Sequence, residues 1–230
     1  MATPIPASLP RLLLLLSATT GLVDAASVLG LGKVFTANMT GNIVFLGFAA
    51  AGTPGFKIAP SLLALVAFML GAAYGGWIAR RHIERPLRRW LLAVAALEAA
   101  LLCLAALLSL PISPSTAGIT SDLMVVIALT GFAMGLRNAT VRQLKVADLT
   151  TTVLTLTITG IAADRPVPGK RSSLPRRIGA VLAILLGAVL GAALLLHVGL
   201  YAPLALAGVL ALGATFLFAR DPASALPYRT

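Results

Sequence analysis

Asp24 stands inside an apolar run that begins near Leu12, and Thr36, Asn38, Thr40 and Asn42 follow it at every second residue. Acids, hydroxyls and carboxamides are expensive in hydrocarbon unless they face protein or water, so an intramembrane acid is a functional suspect by default. A carboxylate at such a place can carry a proton reversibly, and the neighbouring hydroxyls and amides can hydrogen-bond a polar solute. The pattern returns about 110 residues later, where Asn138 is followed by Asp148, Thr150, Thr151 and Thr152. These residues form the expected solute site, with Asp24 as the proton carrier. Glu98, eight residues past Trp90 in another apolar run, is the second acid expected in proton coupling. Two plainer roles compete. The Thr and Asn residues could cap their own helices or bond neighbouring ones, and either acid could form a static pair with Arg137, whose side chain could equally reach the interface.

Elements that hold such groups must be membrane helices. Hydrophobic residues make up 59% of the 230 and charged ones only 11%, with a mean hydropathy of +0.98. That composition excludes an ordinary soluble domain and fits a single integral membrane domain over residues 1–230. The net charge of +11 does not indicate nucleic acid, because Lys and Arg cluster between apolar runs and serve as topology signals. Cys103 is the lone cysteine and His82 and His197 lie far apart, so neither a disulfide nor a metal site is expected. No cofactor is implied.

Apolar segments are expected at about Leu12 to Gly30, Thr40 to Ala51, Pro60 to Ala79, Trp90 to Leu110, Asp122 to Leu136, Leu149 to Ala162, Ile178 to His197 and Ala202 to Ala219. The first is taken as an uncleaved span, because Asp24 stands just before the small residues where a signal peptide would be cut. The segments from Thr40 and from Leu149 are too short to cross a bilayer. If all eight crossed, Lys and Arg would be divided between the two sides without bias. If the two short ones re-enter, only Lys33 and Lys57 stay outside, which satisfies the positive-inside rule. The expected fold is therefore all-α, with about six transmembrane helices plus two short re-entrant or broken helices and both termini cytoplasmic.

Ser17-x-x-x-Gly21-Leu22-x-Asp24-Ala25 matches Gly131-x-x-x-Gly135-Leu136-x-Asn138-Ala139, and Gly71-x-x-x-Gly75 matches Gly187-x-x-x-Gly191. Small residues at this spacing let helix backbones approach closely. With the topology above, residues 11–110 and 121–219 become inverted repeats, an arrangement that commonly builds a midplane site from interrupted helices. Two half-helix N-termini meeting there would favour an anion or the negative end of a polar solute.

The strings Gly21-Leu22-Val23-Asp24-Ala25, Phe35-x-Ala37-Asn38-Met39-Thr40-Gly41-Asn42, Gly135-x-Arg137-Asn138-Ala139 and Asp148-Leu149-Thr150-Thr151-Thr152 resemble the YoaK-like bacterial inner-membrane proteins, a domain of unknown function. The resemblance covers nearly the whole chain and implies a multi-pass protein of the bacterial cytoplasmic membrane. It supplies no substrate and no site residues. The partners expected are therefore the lipid bilayer and a small solute, with no nucleic acid. The leading expectation is a transporter or channel, and not an enzyme. A structural or regulatory partner in a larger complex, associating through the Gly-x-x-x-Gly faces, is the alternative; a homo-oligomer is a further expectation. An intramembrane enzyme ranks below both, since no Gly-x-Ser-x-Gly elbow and no His-Glu-x-x-His helix occur.

Overall fold

A computed structural model describes residues 6, 8–82, 85–111, 120–144, 154–164 and 174–226. The helices are α1 (Leu9–Gly30), α2 (Met39–Ala50), α3 (Ile58–His82), α4 (Leu87–Leu108), α5 (Ser121–Leu144), α6 (Leu154–Ala163), α7 (Leu174–His197) and α8 (Tyr201–Ala219), followed by a 3-10 turn over Pro222–Ala225. No strand occurs among the described residues. A chain this apolar must satisfy its backbone polar groups internally, which only helices do segment by segment. Prolines stand where a helix lacks intrahelical partners anyway: Pro10, Pro60, Pro175 and Pro203 all lie in first turns.

Six helices, all but α2 and α6, are long and apolar enough to cross a bilayer. The chain is an all-α multi-pass membrane protein. At 12 and 10 residues, α2 and α6 rise only about 18 and 15 Å, about half of the hydrocarbon thickness. The largest departure from the hydropathy pattern is at the end of α5. Helix α5 does not stop near Leu136 but continues to Leu144, because the polar residues that end the apolar run bond within the protein. Asn138 Nδ2 donates to the Met134 carbonyl at 2.7 Å and Thr140 Oγ1 to that of Leu136 at 3.0 Å.

Main helix contacts join α1 with α7, α3 with α5 and α4 with α8, supported by α1 with α8 and α4 with α5. Helix α2 lies on α3, and α6 on α7. Exchanging α1 to α4 for α5 to α8 leaves this pattern unchanged. The glycines explain the two closest crossings. A methyl group at Gly71 would stand 2.0 Å from the Phe132 carbonyl oxygen, and one at Gly187 2.0 Å from that of Ala18. The partner helices reciprocate: a methyl at Gly135 would stand 2.0 Å from the Phe68 oxygen, and one at Gly21 2.2 Å from the Ile184 oxygen. Gly75, Gly131 and Gly191 complete the same two seams against Leu136, Ala64 and Leu22. Lipid tails are as apolar as leucine, so helices gain by close backbone contact more than by leaving water. These glycine faces pack against helices of the same chain.

Three buried layers stack along the bundle. One contains Leu9, Ile78, Leu87, Leu144, Ala180 and Phe218. It gathers the starts of α1, α4 and α7 with the ends of α3, α5 and α8. At the opposite end Leu31, Ala64, Ala105, Leu123, Leu195 and Leu204 form a second, and Leu22, Val23, Leu102, Ala133, Met134 and Ala207 fill the middle. The first end is tied together further. Leu87 N–H donates to the Leu226 carbonyl at 3.1 Å, and the Ser8 hydroxyl donates to the Asp221 carboxylate. That bond, with one from the Ala223 amide, holds the Asp221 carboxyl below its ordinary range. Its contribution is full at neutral pH and fades as pH falls through the carboxylate range. Arg11, Arg80, Arg81, Arg85, Arg88, Arg89, Arg142, Arg176, Arg177 and Arg220 all lie toward this end, whereas Lys33 and Lys57 lie at the other.

Gly71→Ala and Gly187→Ala are each expected to cost about 1–3 kcal/mol, as overpacking does. Gly213, with open space around it, should tolerate alanine without loss. Melting of the purified variants in detergent checks this; equal melting of Gly187→Ala and Gly213→Ala would rule out the close crossing.

Candidate functional site

Thr20 and Asp24 are one turn apart, so both side chains leave α1 on one face. What they face is set by the loop that follows. Gly32 and Lys33 take positive φ, 82° and 58°, which turns the chain back toward α1, and Asn42 then fastens it. The Asn42 Oδ1 accepts from Phe35 N–H at 2.9 Å while its Nδ2 donates to the Phe35 carbonyl at 2.5 Å. The Phe35 ring stacks on Phe45 with centroids 5.6 Å apart. It also covers Gly41, where a methyl would meet the ring at 2.5 Å. This folded loop brings the Ala37 amide against the Asp24 carboxylate.

Between these elements lies a cavity of about 710 Å³. Thr20 and Asp24 line it from α1, Asn38 to Gly41 with Val44 and Phe45 from the start of α2, Phe68 from α3, Leu154 and Thr155 from α6, and Ile184 from α7. Asn38 is the N-cap of α2, at φ −113° and ψ 92°, yet its side chain makes no capping bond. The first-turn amides of α2 are therefore left uncapped by it where the helix meets the cavity. The Asp24 Oδ1 atom is buried and has no hydrogen-bond partner.

A second buried polar group adjoins the first. Arg137, on α5, is almost fully enclosed and forms an ion pair with Glu98 on α4. Its Nη1 donates to the Leu16 carbonyl and to Thr20 Oγ1, each at 3.2 Å. The Thr20 hydroxyl in turn donates to the Leu16 carbonyl at 3.0 Å. Thr20 thus belongs to both groups, and Arg137 lies close enough to Asp24 for their charges to interact. Beside the pair is a void of about 20 Å³, room for about one water.

Of the residues expected at a site, Asp24, Asn38 and Thr40 come together on the cavity wall. Thr36 and Asn42 do not. Thr36 is buried with its hydroxyl unpartnered, and both polar atoms of Asn42 are engaged by Phe35. Asn138 bonds its own helix, and Glu98 is held by Arg137 away from the wall. Asp148, Thr150, Thr151 and Thr152 lie outside the described residues. Sequence reasoning passed over Thr20, Phe45, Phe68 and Thr155. Thr20 had a usable signal, its four-residue spacing from Asp24; the others carry none, since only the fold brings them near. Among the described residues no three His, Cys, Asp or Glu side chains converge as metal ligands would.

Comparison with known proteins adds a family. The model described as "Protein of unknown function (DUF1275)" matches residues 12–217. The chain is 36% identical over 156 residues to the UPF0700 transmembrane protein YoaK of Bacillus subtilis (strain 168). That match spans 66% of this chain and 65% of the relative's length. No solved structure matches.

Breaking a buried pair leaves one uncompensated charge, which typically costs about 3–5 kcal/mol, whereas replacing both partners by apolar groups is far milder. Arg137→Met is therefore expected to lower the melting temperature more than the Arg137→Met/Glu98→Leu double variant does. Thermal unfolding of the two in the same detergent decides; a double variant less stable than the single would show that the pair is a net stabiliser beyond its charge balance.

Proposed function

Because the chain belongs to the DUF1275 family, whose description assigns no activity, we propose a function from the site itself: transport of a small polar solute through the cavity at Asp24, coupled to protons. The observation that carries the proposal is an intramembrane carboxylate with an unpartnered oxygen, at the level of the middle layer and beside a solute-sized cavity. Two short helices reach that cavity from their N-terminal ends. Broken helices at membrane depth are tolerated where they line a cavity, which is how many carriers build their sites.

The two halves, α1 to α4 and α5 to α8, are read as inverted repeats. Supporting this are the exchangeable contact pattern and the position of the connections: α2 joins helix ends at one end of the bundle and α6 at the other. Each short helix then enters and leaves on one side as a re-entrant segment. The arginine-rich end is assigned to the cytoplasm by the positive-inside rule. Both termini follow it, since α1 starts and α8 ends there. The membrane is proposed to be the bacterial cytoplasmic one.

The test is access. In a Cys103→Ala background, Asn38→Cys and Thr155→Cys should react with a membrane-impermeant maleimide in sealed vesicles of one or the other orientation, as the exposed control Ala51→Cys does. Failure of both cavity positions to react from either side, with the control reacting, would overturn transport.

A further inference from the structure

We propose that a proton and the ammonium group of an organic solute bind Asp24 in alternation, so that this protein exchanges an organic cation for protons. The proposal rests on the transport reading above and adds the substrate class and the direction of coupling.

Charge balance is the first argument. Among the described residues, the acidic and basic side chains at membrane depth are the buried Glu98 and Arg137 and the half-buried Asp24 at the cavity. Glu98 and Arg137 are in contact and cancel each other. The Arg137 Nη1 is directed to the Leu16 carbonyl and Thr20. Asp24 is therefore left without a cation of its own. Around it, Arg137 is the only described charged group facing it from α5, with Glu98 of α4 behind. Helices α2, α3, α6 and α7 contribute no ionisable side chain to the described wall. One amide, from Ala37, does not replace the hydration of an ionised carboxylate. Among the described residues one positive charge is still wanting, and a proton or a ligand can supply it. A carboxylate that holds one is neutral and no longer attracts the other.

The wall is the second argument. No Lys, Arg or His is among the described residues that line it, so the described wall offers an anionic solute no counter-charge beside Asp24. An ammonium group has three N–H donors, and the hydroxyls of Thr20, Thr40 and Thr155 and the Asn38 carboxamide can accept them. Phe45 and Phe68 add aromatic rings, which attract cations and pack against a hydrocarbon body. A bare metal ion wants several oxygens converging at short range, which a cavity of about 710 Å³ with Phe and Met in its wall does not offer. The exchange step balances simply. The neutral carboxylic acid loses its proton to water as the ammonium ion takes its place, and no bond in the solute changes.

The purified full chain is titrated calorimetrically with three matched probes: 3-phenylpropylammonium, 3-phenylpropanol and 3-phenylpropionate. The ammonium is expected to bind about tenfold or more tighter than the alcohol, and the carboxylate weakest of all. Below the pH at which Asp24 titrates, binding should release about one proton per ligand, measured in buffers of different ionisation heat, and affinity should fall about tenfold for each unit by which the pH drops; above it, both effects should vanish. Asp24→Asn should unfold in detergent at the wild-type temperature, which shows that it is folded, and lose the preference for ammonium. The exchange proposal is overturned if ammonium affinity is independent of pH with no proton release, if the carboxylate binds as tightly as the ammonium, or if none of the three binds the wild type. Should that happen while the cavity cysteines react with maleimide, transport stands and the cation assignment falls.

Discussion

Backbone meeting backbone is the constraint on which this molecule depends. At the α1–α7 and α3–α5 crossings, carbonyl oxygens of Ala18 and Phe132 occupy the space where a side chain would be on Gly187 and Gly71. Nothing larger than hydrogen fits there. Since lipid removes the hydrophobic reward for association between helices, this close approach is what fixes the azimuth of each helix. It is also what directs the remaining faces. With one side of α1 pressed on α7, Thr20 and Asp24 are set between α7, the α2 entrance and α5, where the cavity and the ion pair form.

Polar groups in the interior are then arranged by charge. Arg137 is too costly to bury alone, and Glu98 with the Leu16 carbonyl and Thr20 nearly completes its coordination; only its Nε lacks a partner. Asp24 is the group left over. Its incomplete coordination contrasts with Asn42, whose two polar atoms are both engaged by one residue. The Asn42 amide is finished by its surroundings, whereas the Asp24 carboxylate is left one partner short.

Much of the architecture was legible in the chain. Six long apolar runs, two short ones and the paired glycine motifs announce the helices and the seams between them. Charge placement announces which helix ends gather at one side. Hydropathy misjudged α5 because it registers Arg137 and Asn138 as polar without knowing that Glu98 and the Met134 carbonyl receive them. The site was legible only in part. Asp24, Asn38 and Thr40 stand out as polar residues in apolar surroundings, but so do Thr36 and Asn42, and nothing local separates a wall residue from a clamp. Phe68 and Thr155 come to the cavity through helices distant in sequence, which no spacing within one segment can reveal.

The glycine seams have a consequence for how the protein is made. Helix α1 packs closest on α7 and α8, α3 on α5, and α4 on α8 and α5, so nearly every strong contact joins an early helix to a late one. During synthesis from the N-terminus the first four helices would enter the bilayer before their partners exist, with the Gly71 face open to lipid and Asp24 without its enclosure. The two halves are therefore not separable modules that dock after folding; they are interleaved, and assembly finishes only when the last helices arrive. A chain cut between α4 and α5 loses the partners of both pieces at once, and with them the site.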